Sequence, residues 1–398
     1  MASYLSTALG ERNQRFIRIL LFPVYLLSKC VPRTRKIIVF GSAHGYFFTD
    51  NSKYLFLQMH HLNSDKKLVW ITKNEKVLRT LKSHNFCVEY SLSPRGIWYQ
   101  LRAAICFYSH RFTDLEPLLL GGAKKFSLFH SVIIKILGPE VDWGDNFKDK
   151  LNRLISKIFT YTYYYHMEYI LNPIPAFDKY YKRVFSLSNP QIVHASQPRV
   201  DYFIDEIADE EIAFDDDYSK FLENIRKFDF IISWLPTHRA YKNQSIFDHI
   251  QDISEHLQTL SILLHKSNAC LVLKPHPLEL AAIQENLSLP DNFLLVGTDD
   301  PNPLLKKTDL LISDYSSVVF DFYMKSNKIL FYCFDLEDYL KEVGLFEPLD
   351  TVFEGGEIIT SFEILIEKIE LYMKTSAGCR LKYKCVNNRI VDMDFFNI

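Results

Sequence analysis

Hydroxyl and carboxyl side chains follow an apolar run in the sequence TDLLISDYSSVVFDFY, residues 308–323. Asp314, Ser316 and Ser317 stand where this run ends and a second apolar run begins. If the first run is a parallel strand and the second a helix, the hydroxyls lie beside the unpaired amides of the helix start. Such donors suit a phosphate group, although a simple helix cap explains the pattern equally well.

Two further apolar runs of the same half end in polar and cationic residues. LKPHP contains Lys274 and His276, each followed by a proline that restricts the backbone, and WLPTHR contains Thr237, His238 and Arg239. A surface turn is the alternative for each run taken alone. Three such strand ends in one half of the chain indicate a ligand that carries a diphosphate, because Arg and His donate to phosphate oxygens.

The first half of the chain contains two more groups that could act on a substrate. FSLFHSVIIKILG ends an apolar run with His130, and Lys135 follows five residues later. GSAHGYFFTDNSKYLF places His44, Asp50 and Asn51 in a loop before a predicted helix. A neutral histidine can take a proton from a hydroxyl. Structural roles, including a helix cap at Asp50 or Asn51, are the alternative.

These groups belong to a chain that alternates short apolar runs with amphipathic stretches. The pattern predicts an α/β protein with two Rossmann-like domains, whose parallel sheets are covered on both faces and face a central cleft. The predicted strands are Lys36–Ser42, Lys67–Thr72, Phe86–Ser91, Ala103–Ser109, Lys124–Ser131, Phe228–Thr237, Ala269–Pro277, Phe293–Gly297, Asp309–Asp314 and Lys328–Asp335. The predicted helices include Ser52–His61, Glu75–His84 and Phe247–Lys266.

The predicted domain boundaries lie at the end of a basic segment and at the start of an acidic stretch. Residues 37–204 are predicted to form a first domain, which contains the candidate proton acceptor His130. Residues 205–398 begin with DEIADEEIAFDDD and are predicted to form a second domain, which would bind the diphosphate-bearing donor molecule. The last helix of the second domain can pack back on the first domain. The formal charge of −2 gives no general reason to expect nucleic acid as a partner. The cysteines form no CxxC pair, so no metal site is predicted.

Residues 1–36 are interpreted as a basic amphipathic segment. Basic side chains flank an apolar centre at Ile19–Leu27, which is too short to span a bilayer because a span needs about 20 residues. A helix lying in an anionic membrane interface is the favoured interpretation. A first helix packed on the domain is the alternative.

The motifs described above resemble those of the CDP-glycerol glycerophosphotransferase family, which includes teichoic-acid primases and polymerases and TagF-like enzymes of capsule synthesis. The order and spacing hold over roughly residues 37–370. The matching residues are Phe40–Leu55, Phe129–Gly138, the PR-x-D residues Pro198, Arg199 and Asp201, the PT-x-R residues Pro236–Arg239, Lys274–Pro277 and Ser313–Asp321. The chain departs from the family pattern at Ser131, where the family has glycine, and at Ile133-Ile134-Lys135.

The resemblance implies a GT-B fold and a transferase that moves a polyol phosphate from a CDP-activated donor and releases CMP. It implies that His130 is the catalytic base and that His276 acts in catalysis and, with Arg239, Ser316 and Ser317, holds the diphosphate. The other donor-side residues would be Thr237, Lys274, Asp314 and Asp321. The acceptor-side residues would be His44, Asp50, Asn51, Lys135, Arg199 and Asp201.

The resemblance also implies the partners and the place of action. CDP-glycerol is the favoured donor and CDP-ribitol the second, and the acceptor is a lipid-linked or polymeric cell-surface glycan. The enzyme would be peripheral on the cytoplasmic face of the membrane. No cofactor is firmly implied, and a requirement for a divalent metal is left open. The alternatives are a GT-B glycosyltransferase that uses a nucleotide sugar and a membrane scaffold that binds a nucleotide without turnover.

Overall fold

The computed structural model describes residues 15–62, 65–136, 147–162, 165–203, 205, 216–239, 253–286, 288–298 and 300–393. The chain divides into two compact units. The first unit comprises residues 1–132, 137–202 and 385–398, and the second comprises residues 133–136 and 203–384. Residues 133–136 therefore belong to the unit that is formed mainly by the C-terminal half of the chain. Residues 385–398 belong to the unit that is formed mainly by the N-terminal half.

The first unit is built on a seven-stranded sheet in the order β3-β2-β1-β4-β5-β6-β7, and all of its pairings are parallel. The strands bury both faces, as the fully buried Val39 and Phe40 of the central strand show. The strands are β1 Thr34–Gly41, β2 Lys67–Thr72, β3 Val88–Tyr90, β4 Ala103–Tyr108, β5 Lys124–Ser127, β6 Tyr169–Leu171 and β7 Gln191–Val193.

Helices cover this sheet and connect its strands. They are α1 Phe22–Cys30, α2 Asp50–His61, α3 Glu75–Ser83, α4 Pro94–Arg102, α5 Phe147–Ile158, α6 Asp178–Val184 and α7 Pro198–Asp201. Every residue of α2 from Asn51 to Met59 is buried, so this helix passes through the interior and can bring polar groups to buried positions. At the other extreme, α3 buries only Leu81.

The second unit is built on a six-stranded parallel sheet in the order β10-β9-β8-β11-β12-β14. Its core lies against α9 and α15, where Leu260, Leu264, Leu365 and Ile369 are almost fully buried. The strands are β8 Phe230–Leu235, β9 Ala269–Leu273, β10 Phe293–Leu295, β11 Leu310–Ser313, β12 Ile329–Tyr332 and β14 Ile358–Ile359, with a separate antiparallel pair of β13 Phe353–Glu354 and β15 Arg380–Leu381. The helices are α8 Asp216–Ile225, α9 Ile253–Lys266, α10 Pro277–Asn286, α11 Asn302–Lys307, α12 Val318–Tyr323, α13 Leu336–Glu342, α14 Leu349–Val352 and α15 Phe362–Lys374.

The predicted α/β class with two parallel sheets is confirmed, and every predicted strand overlaps an observed one. The strand ends were extended too far, most clearly at Lys124–Ser131, where β5 ends at Ser127 and leaves His130 in the following loop. Of the predicted helix Phe247–Lys266, the part before residue 253 lies outside the described residues, as do most of the acidic stretch and residues 1–14.

The N-terminal segment forms a helix that is packed on one side and exposed on the other. Residues 15–20 and α1 are helical, and the ring of Tyr25 is buried against Tyr161, with the centroids 4.1 Å apart. Leu20 and Leu27 are 64% and 68% exposed. One face of this helix is therefore packed on the domain, as the alternative interpretation expects. The other face is an apolar surface that contacts no other element among the described residues. No helix within the described residues is long and apolar enough to cross a membrane.

Candidate active site

His130 lies in the loop after β5, with a ring that is held in place but keeps one nitrogen unbonded. The ring stacks on His110, with centroids 4.6 Å apart and planes 5° from parallel. It hydrogen bonds with the backbone of Ser109, while Nδ1 is buried without a hydrogen-bond partner. Burial, and then the neighbouring His110, lower the pKa of His130 to about 3. The ring is therefore neutral at pH 7, the form that a general base requires.

The loop that carries His130 is fixed by residues from two other parts of the first unit. Asn51 Nδ2 donates to the carbonyl of Phe129 at 2.6 Å, and Arg199 Nη1 donates to the carbonyl of His130 at 2.8 Å. The Arg199 amide in turn donates to Asn51 Oδ1 at 3.2 Å. The side chains of Asn51 and Arg199 thus hydrogen-bond to the backbone of the loop that carries His130. This arrangement differs from the expectation that they face the acceptor.

Asp50 completes this network. Its Oδ1 accepts from Arg199 Nη1 at 2.6 Å, and its Oδ2 lies 3.6 Å from His110 Nε2. Burial alone would raise the pKa of Asp50, but the charge of Arg199, together with the hydrogen bond from the Asn51 amide, outweighs it, so the pKa is lowered. Asp50 is the first residue of α2 rather than its cap, since Thr49 precedes the helix.

Two residues of this cluster, His110 and Asp114, were missed in the sequence. Asp114 accepts hydrogen bonds from the backbone amides of His44 at 2.8 Å and His110 at 2.8 Å, and His110 Nδ1 accepts from the amide of Ala43 at 3.2 Å. His110 follows β4, the neighbour of β1 and β5 in the sheet. Its position directly after the predicted strand Ala103–Ser109 was the available signal.

Backbone strain is concentrated in the same loops. Ala43, His44, Asp50 and Phe129 all have positive φ angles, of 45°, 59°, 63° and 43°. Such conformations are costly for residues with a Cβ atom and persist where the surrounding contacts enforce them. The enforcing contacts are those of Asp50 and Arg199 around the His130 loop and the hydrogen bonds from the amides of Ala43 and His44 to His110 and Asp114.

The lowered pKa of His130 predicts a pH-dependent stability. The unfolded histidine binds a proton near pH 6.5 and the folded one does not, so the stabilisation is complete above pH 6.5 and is lost as the pH falls. Between pH 7.5 and 5 we expect His130 to account for a loss of about 2 kcal/mol in the free energy of unfolding. Urea denaturation at both pH values should show a smaller loss in His130→Asn than in the wild type. An equal loss in both proteins would contradict the assignment.

In the second unit, the three predicted polar strand ends come together. β8 pairs with both β9 and β11, so the residues that follow these strands lie at one edge of the sheet. Thr237 connects two of the ends, because its amide donates to both Asp314 oxygens at 3.0 Å and its hydroxyl donates to Oδ1 at 2.5 Å. The grouping that the sequence predicted is thus present.

The position of Arg239 differs from the expectation that it contacts phosphate. The side chain is completely buried, and its guanidinium donates to Asp314 Oδ2 at 2.7 Å and to the two Asp335 oxygens at 2.9 Å each. The rings of Tyr315 and Tyr339, stacked 3.6 Å apart, lie beside it. Hydrogen bonds therefore connect Arg239, Thr237 and Asp314 to one another. In this arrangement they hold together the residues that follow β8 and β11.

Asp335 was also missed as a functional residue, although it ends the predicted strand Lys328–Asp335 and lies three residues after β12. Burial would lower the pKa of Arg239, but the Asp314 and Asp335 carboxylates outweigh it and raise the pKa. The guanidinium is thus permanently charged and is neutralised by two buried carboxylates. A buried ion network of this kind is strongly destabilised when one member is removed.

His276 and His238 form a second histidine pair at this edge. Their rings stack with centroids 4.9 Å apart, and His238 Nδ1 lies 2.8 Å from Glu279 Oε1. Burial, followed by the charges of His238 and Lys274, lowers the pKa of His276 to about 4. His276 is therefore neutral at pH 7, so that one ring nitrogen can donate an N–H to a ligand and the other can accept a proton.

Ser316 and Ser317 are hydroxyl groups at this edge that remain accessible. Both are partly exposed and directly precede α12, and Ser316 Oγ accepts weakly from the Val318 amide at 3.3 Å. Lys274 is partly exposed at the end of β9, whereas Asp321 is buried within α12. Of the residues predicted to bind the donor, Thr237, Lys274, His276, Ser316 and Ser317 are partly exposed, whereas Arg239, Asp314 and Asp321 are buried.

Two residues expected on the acceptor side lie elsewhere. Lys135 belongs to the second unit, where it forms a bridge with Leu345 and its Nζ lies 5.8 Å from the centre of the Tyr339 ring. Burial lowers its pKa to about 8. Asp201 is buried in the first unit with Arg389 Nε 3.5 Å from its Oδ2. Among the described residues no group of three potential metal ligands is present.

Comparison with known proteins identifies the class to which this fold and these sites belong. The profile of the family described as CDP-Glycerol:Poly(glycerophosphate) glycerophosphotransferase matches residues 24–394. The chain belongs to this family, whose named members are transferases. The resemblance inferred from the motifs is thus confirmed over most of the chain.

Particular relatives are enzymes of teichoic acid synthesis. The chain is similar to the teichoic acid glycerol-phosphate transferase of Staphylococcus aureus, with 25% identity over 88% of this chain and 87% of that protein. It is 28% identical to the ribitol-phosphate polymerase TarL of S. aureus over 48% of this chain, but the match spans only 33% of TarL. The match to the ribitol-phosphate primase of Bacillus spizizenii has 29% identity and covers 63% of this chain and 58% of the primase.

A solved structure of the wall teichoic acid polymerase TagF has the same fold. The TM-score is 0.66, with 20% sequence identity, and the match covers 91% of this chain and 88% of that chain. The predicted GT-B-like fold is therefore confirmed.

Proposed function

We propose that this protein transfers a polyol phosphate from a CDP-activated donor to a hydroxyl of a teichoic-acid-like acceptor and releases CMP. The observation that carries the proposal is the pair of neutral histidine sites, one in each unit, built on the motifs of the family. The family description names CDP-glycerol, while several relatives are ribitol-phosphate enzymes. Glycerol phosphate is the favoured group because the relative that is matched over most of both chains is a glycerol-phosphate transferase.

The donor diphosphate is assigned to the edge of the second sheet. Ser316 and Ser317 would supply hydroxyl donors, Lys274 a positive charge and His276 a neutral N–H. Asp314 and Arg239 would act behind them, since their hydrogen bonds to each other and to Thr237 fix the ends of β8 and β11. Phosphoryl transfer depends mainly on positioning and on stabilising the charge of the phosphate oxygens, and this edge can provide both.

The acceptor proton is assigned to His130. The acceptor oxygen forms a bond to the β-phosphorus of the donor, the bond from that phosphorus to the CMP oxygen breaks, and Nδ1 of His130 takes the hydroxyl proton. Asn51, Arg199 and Asp50 would serve this step by fixing the loop that carries His130. We therefore assign these three residues to positioning the base.

The direct test is to incubate the purified protein with CDP-glycerol or CDP-ribitol and an acceptor, and to measure CMP. Release of CMP that depends on the acceptor supports the proposal, and the ratio of the two rates identifies the polyol. Turnover of a nucleotide sugar with release of a nucleoside diphosphate, and no CMP from either donor, would overturn it.

The assignment of Ser316 and Ser317 to the donor diphosphate predicts a loss of CDP affinity when both hydroxyl groups are removed. Replacing Ser316 and Ser317 together with alanine should weaken CDP binding by at least about tenfold, because a hydrogen bond to a charged group contributes roughly 1.5–3 kcal/mol. Isothermal titration calorimetry measures the effect. Ser267→Ala, at an exposed position before β9, is the matched control and should bind CDP like the wild type. Equal affinity in the double variant would remove these serines from the site.

We also propose that the exposed apolar faces of the N-terminal helical segment, residues 15–30, and of α5 bind an anionic membrane surface on the cytoplasmic side. Arg15 Nη2 donates to Ser156 Oγ at 2.6 Å, which joins the N-terminal helix to α5. Large exposed apolar residues lie on both elements, and α5 also carries basic side chains. The exposed apolar residues are Phe16, Ile17, Leu20, Leu21, Val24, Leu26, Leu27, Phe147, Leu151, Leu154 and Ile158. Apolar side chains flanked by lysine and arginine are typical of interfacial helices.

This surface predicts that added negative charge releases the protein from membranes. The double variant Leu20→Glu, Leu27→Glu should bind anionic phospholipid vesicles more than about tenfold more weakly than the wild type in a sedimentation assay. Point changes are preferable to deleting residues 1–36, because Tyr25 is part of the packed interior. Ile262→Glu, at a residue that is 60% exposed on α9, is the control. Undiminished vesicle binding by the double variant would exclude this surface.

A further inference from the structure

The first unit contains a cavity of about 470 Å³ beside the N-terminal helix, outside the cluster around His130. Its volume lies within the range of about 300–1,000 Å³ that small-molecule sites occupy. The cavity lies between the N-terminal helix and the loops that follow the strands of the first sheet. Nothing in the proposed chemistry uses it.

One part of the cavity wall is cationic. Arg15, Arg18 and Lys73 line it, together with a single carboxylate, Glu116. Arg18 Nε lies 3.7 Å from Glu116 Oε1, beyond ordinary hydrogen-bond distance. Lys73 Nζ donates to two backbone carbonyls, at 2.8 and 3.0 Å, which leaves one of its three donors for a ligand. Three cations against one carboxylate give the wall a net positive charge that suits an anion.

The remaining wall is largely apolar and continues to the protein surface. Ile17, Leu21, Val24 and Leu92 line the cavity, and their exposed fractions are 52%, 40%, 39% and 62%. These side chains therefore form an apolar rim that is open to the surroundings. Ile17, Leu21 and Val24 belong to the surface that we assign to the membrane, so the rim would open at the lipid.

The cationic wall is connected to the loop network of His130. His44 lines the cavity, and its carbonyl accepts from Lys73 Nζ at 3.0 Å. The amide of His44 donates to Asp114, which also accepts from the amide of His110, the residue whose ring stacks on His130. A ligand in the cavity would thus be connected to the proposed base His130 through the loop of His44, the Asp114 carboxylate and the ring of His110.

From these features we infer that the cavity binds the head and the first chain units of an anionic amphiphile, a phosphate or diphosphate ester of a long apolar alcohol. The cations would hold the phosphate, and the apolar rim would hold the chain where it leaves the membrane. The binding claim stands on the cavity itself. Its meaning as a subsite for a lipid-linked acceptor rests on the proposed function.

The test compares three probes by calorimetry: farnesyl diphosphate, farnesol and inorganic diphosphate. Farnesyl diphosphate should bind, and each of the other two should bind at least about tenfold more weakly, because each lacks one half of the recognition. Equal affinity for farnesol would overturn the cationic assignment. Equal affinity for inorganic diphosphate would overturn the apolar one.

Paired variants locate the binding. Val24→Trp should fill the cavity and Arg18→Gln should remove a cation, and each is expected to weaken farnesyl diphosphate binding by about tenfold. Ile262→Trp, at an exposed position of α9, and Lys29→Gln do not change residues that line the cavity, so both variants should bind like the wild type. Unchanged binding in both cavity variants, or equal losses in the two controls, would overturn the inference.

Failure of this inference can be told apart from failure of the proposed function. CMP release without binding of farnesyl diphosphate would overturn the lipid site and leave the transferase assignment intact. Cavity-dependent binding of farnesyl diphosphate supports the lipid site even in a preparation that releases no CMP.

Discussion

His130→Asn is expected to reduce CMP release by about 10²–10⁴-fold, the usual contribution of a general base. The asparagine has a similar size but cannot accept the acceptor proton. CDP affinity should be unchanged, because the donor is assigned to residues of the second unit. Steady-state rates and calorimetry on the same preparation measure both quantities.

His166→Asn is the matched control for this variant. His166 is another histidine of the first unit whose pKa burial lowers to about 3, so its replacement removes a comparable neutral imidazole. It is assigned no chemical role and should leave turnover within about threefold of the wild type. If His130→Asn retained turnover at the level of this control, His130 would not be the base.

The pKa of His130 also sets the expected pH profile. Since the group stays neutral down to about pH 4, turnover should not fall between pH 7 and 5.5 through protonation of this base. A decline with a midpoint near 6.5 in the wild type would indicate that the base is an ordinary exposed histidine.

Arg239→Ala is expected to lower the free energy of unfolding by about 3–5 kcal/mol, because it leaves the Asp314 and Asp335 carboxylates buried without their cation. Arg239→Lys should lose less, since the charge remains while the paired hydrogen bonds of the guanidinium are lost. Chemical denaturation measures both losses. Arg380→Ala, at an exposed position of β15, should change stability by less than about 0.5 kcal/mol.

The same variant tests how Arg239 affects the donor. At low temperature, where Arg239→Ala is still folded, CDP should bind more weakly because the ends of β8 and β11 are no longer fixed. A variant that is as stable as the wild type and that loses only CDP affinity would show that Arg239 contacts the diphosphate directly. That result would restore the interpretation drawn from the sequence.

The sequence predicted the elements well where strands are long and buried. β2 has the predicted bounds, and the neighbouring places of β8, β9 and β11 bring together the three polar strand ends. β6 and β7 were not predicted, because each has three residues and is followed at once by a polar residue, whereas the equally short β10 continues into the apolar Val296. The passage of residues 133–136 into the second unit depends on pairing with a segment 210 residues away, which no local pattern reveals.

The candidate sites were predicted in residue identity more than in role. Arginine and aspartate were assigned to ligands because those residue types suit phosphate or an acceptor. The structure pairs Arg199 with Asp50 and Arg239 with Asp314 instead. Such pairings join residues that are far apart in sequence, so they cannot be read from spacing. The same reason explains why His110 and Asp335 were missed.

The most direct test of the central claim is a structure of the protein with CDP-glycerol bound. We expect the diphosphate at the edge of the second sheet, within hydrogen-bond distance of Ser316, Ser317 and His276, with Arg239 still hydrogen-bonded to both carboxylates. A diphosphate bound at any other place, or one that leaves both serine hydroxyls without contact, would contradict it.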